Sequence, residues 1–337
     1  MSARFRSADA RIWSSSALIS TSSASTARAD WSADTVLMIT LNAALDVTYE
    51  VTELQRGESH VVQKATAQAG GKGINVARVV CSLGRAATIT GLIAGTTGAA
   101  IRDDLRRRGL SEDLIDVGGE SRRTMNVVDA HTSTIFNERG DALVVDWDVV
   151  QERMLRLARS HRVVVASGSV PAGVPVDVYA RIVRAVHDAG GVAIVDATGD
   201  ALLEAARAGA DILKPNALEL LAATGRSNVD DGIADLIDLG AGGIAASLGA
   251  DGIRFQSRDR VLHARPHSDV RGNPTGAGDA AVAAFAIGLE ERWPLDESVR
   301  HAVALSAAAV AHPLAGHVDH DLYSGSLPTV TIEELTA

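Results

Sequence analysis

The stretch Asn273-Pro274-Thr275-Gly276-Ala277-Gly278-Asp279 leads directly into a run of small apolar residues that extends to Leu289. This pattern predicts a glycine loop at the N-terminus of a buried helix, with Asp279 in the first turn. Free backbone amides at such a terminus bind anions, and glycines let an anion approach closely because they lack a Cβ atom. Asp279 would repel a resting phosphate, but it could accept a proton from a hydroxyl group that attacks one. The alternative is that Asp279 only caps the helix.

The composition of the whole chain limits the classes of protein to consider. The chain has 337 residues, a net charge of −10, 46% hydrophobic residues and 22% charged residues, as in an ordinary globular protein. The acidic balance argues against nucleic acid or an anionic membrane surface as the main partner. No apolar run reaches the roughly 18 residues that predict a membrane-spanning helix. The single cysteine, Cys81, cannot form an internal disulfide, which fits a cytoplasmic protein.

The first 35 residues differ from the rest of the chain. Residues 1–35 are rich in Ser, Ala, Arg and Thr and show no sustained hydrophobic period. A transit peptide shares this composition. We expect a disordered extension or an upstream start codon chosen in error, and a single domain over 36–337.

Predicted strands and helices alternate from Val36 onwards. Short apolar runs rich in Val and Ile predict buried strands, and segments with a helical period separate them. Such alternation predicts a mainly parallel sheet with helices on both faces. Two strand-rich segments, at about 47–66 and 122–137, interrupt this alternation and predict a small projecting sheet.

Polar residues follow several of the predicted strands. Ligands of such folds bind at the carboxyl ends of parallel strands, so these residues are expected to lie together. The segments are 42–46, 167–173, 196–199, 214–219 and 247–252. No P-loop is present and no Gly-x-Gly-x-x-Gly follows the first strand, which argues against those two nucleotide sites. His317, Asp319 and His320 could form a metal site, but a solvated loop is the favoured interpretation.

Two glycine motifs point to a family. Gly70-Gly71-Lys72-Gly73-Ile74-Asn75-Val76-Ala77-Arg78 resembles the sugar-binding signature of the ribokinase-like (PfkB) carbohydrate kinases, and Gly276-Ala277-Gly278-Asp279 resembles their second signature. Segment 167–173, the residues around 214–219 and segment 247–252 fall between them in the family's order. The resemblance covers about residues 36–335. The first signature is closest to the branch that contains 1-phosphofructokinase and tagatose-6-phosphate kinase.

The resemblance implies a ribokinase-like three-layer α/β/α sandwich with a small β-sheet lid. It implies ATP-dependent phosphorylation of a sugar with Mg²⁺, and it allows a monovalent cation and a homodimer formed through the lid. Within the branch, the substrate would be a ketose phosphate of the fructose 1-phosphate or tagatose 6-phosphate type, converted to the bisphosphate. The alternatives are a kinase for an unphosphorylated sugar or nucleoside, and an inactive sugar sensor. The retained glycine loop and Asp279 argue against the sensor.

The resemblance also assigns roles to single residues. Asp279 would be the general base, and the backbone N–H groups of Gly276, Ala277 and Gly278 would form the anion hole. The sugar site would be lined by Asp46, Gly71, Lys72 and Asn75. Glu219 would help to place Mg²⁺ through water. The remaining nucleotide and phosphate contacts would come from Lys214, Asn216, Ser247, Gly249 and Gly252.

Three segments depart from the family's usual wording. Asn42-Ala43-Ala44-Leu45-Asp46 replaces an Asn-Pro-Ala sequence but keeps the aspartate, and Asp196-Ala197-Thr198-Gly199 has one hydroxyl fewer than usual. A Thr-Arg pair that binds a substrate phosphate in the branch becomes Ser121-Arg122, followed by Arg123. Arg122 is our choice for the phosphate-binding residue and Arg123 the alternate. A solvated strand position is the other interpretation of each.

Overall fold

The structure is a computed structural model that describes residues 36–335, except for residues 131, 141 and 269. The predicted extension over 1–35 lies outside the described residues. Within the described part, none of the helices has the length and apolar character needed to cross a membrane.

Strands and helices alternate along most of the chain, as the sequence predicts. The strands are β1 (Val36–Thr40), β2 (Ala44–Glu50), β3 (Lys64–Gly70), β4 (Ala87–Ala94), β5 (Ser111–Val117), β6 (Arg122–Val128), β7 (Ser133–Asn137), β8 (Val163–Ser167), β9 (Val192–Asp196), β10 (Ile212–Leu213), β11 (Gly243–Ser247), β12 (Ile253–Ser257), β13 (Val261–Arg265) and β14 (Thr331–Leu335). The helices are α1 (Lys72–Ser82), α2 (Gly95–Arg107), α3 (Trp147–Arg159), α4 (Val178–Asp188), α5 (Gly199–Arg207), α6 (Ala217–Thr224), α7 (Val229–Leu239), α8 (Ala277–Glu291), α9 (Leu295–Ala311) and α10 (His320–Ser326).

A ten-stranded sheet forms the middle layer, in the order β14-β13-β12-β11-β10-β9-β8-β1-β4-β5. The strands from β11 to β5 in this order pair in parallel, and β12, β13 and β14 continue the sheet as antiparallel strands. All five residues of β1 are buried, as expected for a strand covered on both faces. The α1, α2, α8 and α9 helices cover one face, and α3 to α7 cover the other. The predicted three-layer α/β/α fold is confirmed.

Helix α8 lies inside the molecule between the sheet and two neighbouring helices, α1 and α9. Its residues from Asp279 to Leu289 are all buried. A helix that is apolar on all sides must be covered on all sides, which small side chains such as alanine make possible. The rigid position of α8 therefore also fixes the loop at its N-terminus.

A second, smaller sheet projects from the main one, with the strand order β3-β2-β6-β7. Its strands overlap the predicted segments 47–66 and 122–137, but residues 51–63 between β2 and β3 are a loop rather than strand. Side chains alternate between the two faces of this sheet. One face is polar and the other is largely apolar. The polar face is turned towards the carboxyl edge of the main sheet.

Several elements of the structure were not predicted from the sequence. They are β5, α3, α6, α7, α10 and β14. All four of these helices begin at capped N-termini, where Asp146, Asn216, Asn228 and Asp319 accept hydrogen bonds from backbone amides. Asp319 therefore caps α10, and His317 stacks on His312, with the ring centroids 4.9 Å apart.

Candidate active site

A cleft of about 990 Å³ lies between the carboxyl edge of the main sheet and the polar face of the small sheet. Every predicted site residue except Arg123 lines this cleft. The topology accounts for this, because β9, β10 and β11 end at the same edge and α1 and α8 begin there. The residues fall into three groups: Asp279 with its neighbours, a group near the ends of β10 and β11, and a group on the small sheet.

The glycine loop before α8 has the geometry of an anion-binding helix terminus. Gly276 adopts a left-handed conformation with φ of 89°, and a Cβ atom there would lie 3.0 Å from the amide nitrogen of Gly316. The amide of Ala277 donates a hydrogen bond to the carbonyl of Pro274 at 3.3 Å. The amides of Gly276 and Gly278 have no acceptor among the described residues. Two of the three amides predicted for the anion hole are therefore free.

Asp279 is buried in the first turn of α8, with 6% of its surface exposed. The side-chain amide of Asn75 donates a hydrogen bond of 2.9 Å to its Oδ2 atom. Burial and the negative charge of Asp196 raise the pKa of Asp279 to about 6, while Lys72, the bond from Asn75 and Lys214 act in the opposite direction. A carboxyl group whose pKa lies near neutral pH is suited to accept a proton as a general base.

Lys72 lines the cleft close to three carboxylates, those of Asp196, Glu219 and Asp279. Its Nζ atom is 2.9 Å from Asp196 Oδ1 and 3.6 Å from Glu219 Oε1. Burial alone would lower the pKa of Lys72, but the charges of Asp196, Glu219 and Asp279 raise it above its usual value. Burial likewise opposes ionisation of Asp196, yet Lys72 and Lys214 hold its pKa below the usual range. Both groups of this pair are therefore charged at neutral pH.

The group near the ends of β10 and β11 is held by a buried lysine and a helix cap. Lys214 is 3% exposed, and its Nζ donates a hydrogen bond of 3.4 Å to Ser247 Oγ. A Cβ atom on Gly278 would come within 2.9 Å of that ammonium, so the lysine reaches the glycine loop. Asn216 and Glu219 form a capping box at the start of α6, which accounts for their spacing of three residues.

Two further glycines shape this end of the cleft. Gly249 has φ of 65° and Gly252 has φ of 84°. A Cβ atom on Gly252 would overlap the carbonyl oxygen of Ala264, only 2.0 Å away. No other residue type fits the turn after β11 without a shift of the neighbouring strand.

The small sheet contributes the third group. Asp46 packs over Gly70, where a Cβ atom would lie 2.0 Å from the carboxylate. Burial raises the pKa of Asp46, against the effects of Thr124, Arg122 and Arg78. The Arg122 side chain donates to Thr124 Oγ1 at 3.2 Å. Its guanidinium therefore lies on the cleft side of the sheet.

Arg123 points away from the cleft. It follows Arg122 on the same strand, so its side chain lies on the other face, where it donates to Thr97 Oγ1 at 3.4 Å. Of the two candidate arginines, only Arg122 is in position to meet a ligand in the cleft.

Some residues of the cleft were not among the predicted site residues. Asp196 lies in the polar segment 196–199 but has no predicted role, although its place at the end of a buried strand is a usable signal. The small sheet adds polar side chains whose shared face follows from strand alternation once the register is known. They are Thr48, Gln68, Thr124, Asn126 and Asn137.

The fold and the cleft together define a class of protein. A buried carboxyl group with a raised pKa beside helix amides, with lysines and further carboxylates at the carboxyl edge of a parallel sheet, is typical of an α/β phosphotransferase that acts on a small molecule. Residues 38–321 match the model of the protein family described as "pfkB family carbohydrate kinase". The chain belongs to this family and is an ATP-dependent sugar kinase, and the family implies ATP and Mg²⁺.

Known proteins similar to this chain agree with that assignment. The 1-phosphofructokinase of Xanthomonas campestris pv. campestris is 33% identical over 284 residues, which cover 80% of this chain and 89% of that protein. The crystal structure of phosphofructokinase-2 from Escherichia coli in complex with potassium has a TM-score of 0.81 at 25% identity, over 88% of this chain and 98% of that one. Arabidopsis thaliana ribokinase, solved with ribose and ATP, shares the fold with a TM-score of 0.65 at 20% identity, over 87% and 98%. The ribokinase-like fold predicted from the sequence is confirmed.

Proposed function

We propose that this kinase phosphorylates a ketose phosphate of the fructose 1-phosphate or tagatose 6-phosphate type to the bisphosphate, with Asp279 as general base. The position of Arg122 is the observation on which the proposal rests. Arg122 lines the same cleft as Asp279, and its guanidinium lies close to the carboxylate of Asp46. Arginine binds a phosphate with two parallel hydrogen bonds, and a carboxylate accepts paired bonds from sugar hydroxyls. The similarity to a 1-phosphofructokinase supports the same substrate class.

The chemistry follows from the groups around Asp279. The carboxylate accepts the proton of the sugar hydroxyl as the hydroxyl oxygen bonds to the γ-phosphorus of ATP and the bond to the β-phosphate oxygen breaks, which releases ADP. The free amides of Gly276 and Gly278, at the positive end of α8, stabilise the negative charge that develops on the transferred group. Lys72 and Lys214 add positive charge near Asp279.

The residues present also suit Mg²⁺. Among the described residues no three His, Cys, Asp or Glu side chains converge into a cage for a metal. Mg²⁺ in kinases is held mainly by phosphates and water with one or two carboxylates, so a cage is not required. Glu219 would hold it through water, because one oxygen caps α6 and the other faces the cleft near Lys72. When bound, Mg²⁺ neutralises charge on the phosphates of ATP.

A kinase for an unphosphorylated sugar is the second candidate. Among the described residues of the small sheet that line the cleft, Arg122 is the one cation, Asp46 is a carboxylate and the others are neutral. Thr48, Thr124, Asn126 and Asn137 could hydrogen-bond sugar hydroxyls without any substrate phosphate. This alternative keeps the same base and the same nucleotide site.

A substrate panel separates the two candidates. The purified protein is tested with ATP, Mg²⁺ and fructose 1-phosphate, tagatose 6-phosphate, fructose 6-phosphate, fructose, tagatose, ribose and adenosine, and ADP release is measured. We expect the highest kcat/KM with a ketose phosphate. A preference for a free sugar or nucleoside would support the second candidate, and no turnover with any acceptor would favour an inactive sensor.

Three further expectations belong to this proposal. The outer face of the small sheet is largely apolar, and Phe136 is 55% exposed there, which supports a homodimer formed through the lid. A monovalent cation should increase the rate, since the similar phosphofructokinase-2 was solved with potassium. The cytoplasmic location predicted from the sequence stays a prediction.

A further inference from the structure

Arg78 is a buried arginine that does not line the cleft, yet it contacts the residue that holds the base. It lies on α1 with 6% of its surface exposed. Its guanidinium donates hydrogen bonds to Asn75 Oδ1 at 3.2 Å, to the carbonyl of Ala69 at 2.6 Å and to the carbonyl of Ala315 at 3.4 Å. Burial, and the charge of Arg108, lower its pKa to about 10, so it remains charged at neutral pH.

The contact with Asn75 decides how the Asn75 amide is oriented. A guanidinium has only donors, so it must face the oxygen of the amide. The NH₂ group of Asn75 is then the part that reaches Asp279, where it donates a bond of 2.9 Å to Oδ2. If the amide were turned over, its oxygen would face the carboxylate of Asp279, and two acceptors would repel each other. The spacing of three residues places Asn75 and Arg78 on one side of α1.

The second contact holds the junction between the small sheet and α1. Ala69 lies at the end of β3, one residue before the Gly70-Gly71 pair that leads into α1. Its N–H donates to Asp104 Oδ2 at 2.9 Å, while its carbonyl accepts from Arg78. The backbone N–H and the carbonyl of Ala69 are thus each bound by a buried charged side chain, from α2 and α1 respectively. The junction is therefore held in one position relative to α1.

The third contact ties down a segment that borders the cleft. Ala315 lines the cleft, and the next residue, Gly316, packs directly on Arg78 and Asn75. A Cβ atom on Gly316 would lie 2.7 Å from the Arg78 guanidinium and 2.8 Å from Asn75 Oδ1. Gly316 has φ of 74°, which glycine adopts without strain.

We propose that Arg78 is a positioning residue for phosphoryl transfer: it fixes the Asn75 amide so that its NH₂ group faces Asp279. This rests on the proposed role of Asp279 as the base. The groups that face Asp279 from neighbouring elements are Asn75 and Lys72 on α1, Asp196 at the end of β9 and Lys214 after β10. Arg78 therefore acts on Asp279 through Asn75.

The test is a double-mutant cycle with Arg78→Met and Asn75→Ala, read as kcat and as KM for ATP. Misplacement of a reacting group typically costs on the order of 100-fold, so we expect Arg78→Met to lower kcat by roughly 10- to 100-fold with the KM for ATP unchanged. In the Asn75→Ala background the same change should cost less than about threefold, because coupled residues are not additive. A loss of equal size in both backgrounds, or a kcat close to that of the wild type, would overturn the inference.

Arg162 offers a matched control. Its guanidinium also donates to two backbone carbonyls, those of Leu289 and Glu290, but at the far end of α8 from Asp279. Arg162→Met should lower the melting temperature without lowering kcat at 25 °C or below. If it lowers kcat as much as Arg78→Met does, loss of stability alone explains the effect and the inference fails.

Two more variants ensure that the test decides for or against the role of Arg78. If Arg78→Met does not fold, Arg78→Gln replaces it in the same cycle, because a glutamine amide offers both a donor and an acceptor and so no longer fixes which way the Asn75 amide faces. Asp279→Asn serves as the reference for the base. If Asp279→Asn retains turnover, the proposed base is wrong; if it is inactive while Arg78 variants keep the wild-type kcat, only the inference about Arg78 fails.

Discussion

At the scale of single residues, the proposed mechanism depends most on Asp279. Its burial, its bond from Asn75 and its place beside two free amides are each needed for a base that acts next to a phosphoryl group. The residue is not a simple helix cap, since no side-chain hydrogen bond caps α8. Three predictions concern this residue and the arginines of the small sheet.

Asp279→Asn should leave the fold and ATP binding intact while kcat falls about 10²- to 10⁴-fold. The change removes the proton acceptor and preserves the shape of the side chain. Turnover is measured by ADP release, and folding by thermal melting. A variant that retains more than about a third of the wild-type rate would show that another group takes the proton.

The kcat/KM for the sugar should fall as the pH drops through about 6, because only the ionised form of Asp279 accepts a proton. Asp196 is a major cause of the raised pKa of Asp279. Asp196→Asn removes that negative charge, so the pKa of Asp279 should fall and the acid limb should move to lower pH, by on the order of one unit. An acid limb that stays in place or moves to higher pH contradicts this electrostatic account.

Arg122→Ala should raise the KM for a ketose phosphate by about 10- to 150-fold, because bonds to charged groups contribute about 1.5–3 kcal/mol. The KM for ATP should change little. Arg123→Ala is the matched control, since that side chain points to Thr97 on the other face. Steady-state kinetics with both single variants test this directly. An effect confined to Arg123→Ala would reverse the assignment.

At the scale of elements, helix termini supply much of the site. The α1, α6 and α8 helices all begin at the cleft, and each begins at or next to a residue predicted from the sequence. The α6 terminus is closed by the capping box of Asn216 and Glu219, so the same two residues serve helix stability and the cleft.

Substitution of two asparagine caps can distinguish the role in helix stability from the role in nucleotide binding. Asn216→Ala and Asn228→Ala each remove a side chain that accepts a bond from a backbone amide, at α6 and α7 respectively. Each should lower the free energy of unfolding by about 0.5–2 kcal/mol. Only Asn216→Ala should also raise the KM for ATP, because Asn228 does not line the cleft. Chemical denaturation and kinetics measure the two effects, and equal kinetic behaviour of the variants would remove Asn216 from the nucleotide site.

At the scale of the whole molecule, the small sheet has one polar face and one apolar face. On the outer face, Val47, Met125 and Phe136 lie side by side across three strands. A row of apolar side chains of this kind favours contact with a second apolar surface. The proposed homodimer would cover this row with a second copy of the chain.

Phe136→Glu should shift the protein from dimer to monomer, because a carboxylate on the apolar face cannot be buried without a partner. Sedimentation velocity at several concentrations measures the oligomeric state. Val149→Glu is the control, since Val149 is 63% exposed on α3, away from the small sheet. A wild-type protein that is monomeric at all concentrations, or a Phe136→Glu variant that remains dimeric, would exclude this interface.

The sequence by itself determined the class of fold and most of the residues in the cleft. Apolar runs and glycines act locally, so β1, α1 and the glycine loop before α8 could be predicted from their own residues. Pairings between distant segments could not. Only the tertiary structure placed Lys72 beside Asp196, turned Arg122 into the cleft and Arg123 out of it, and joined Arg78 through Asn75 to Asp279. The physical reason is that strand register and helix packing set these distances, whereas a sequence pattern fixes only the neighbours within one element.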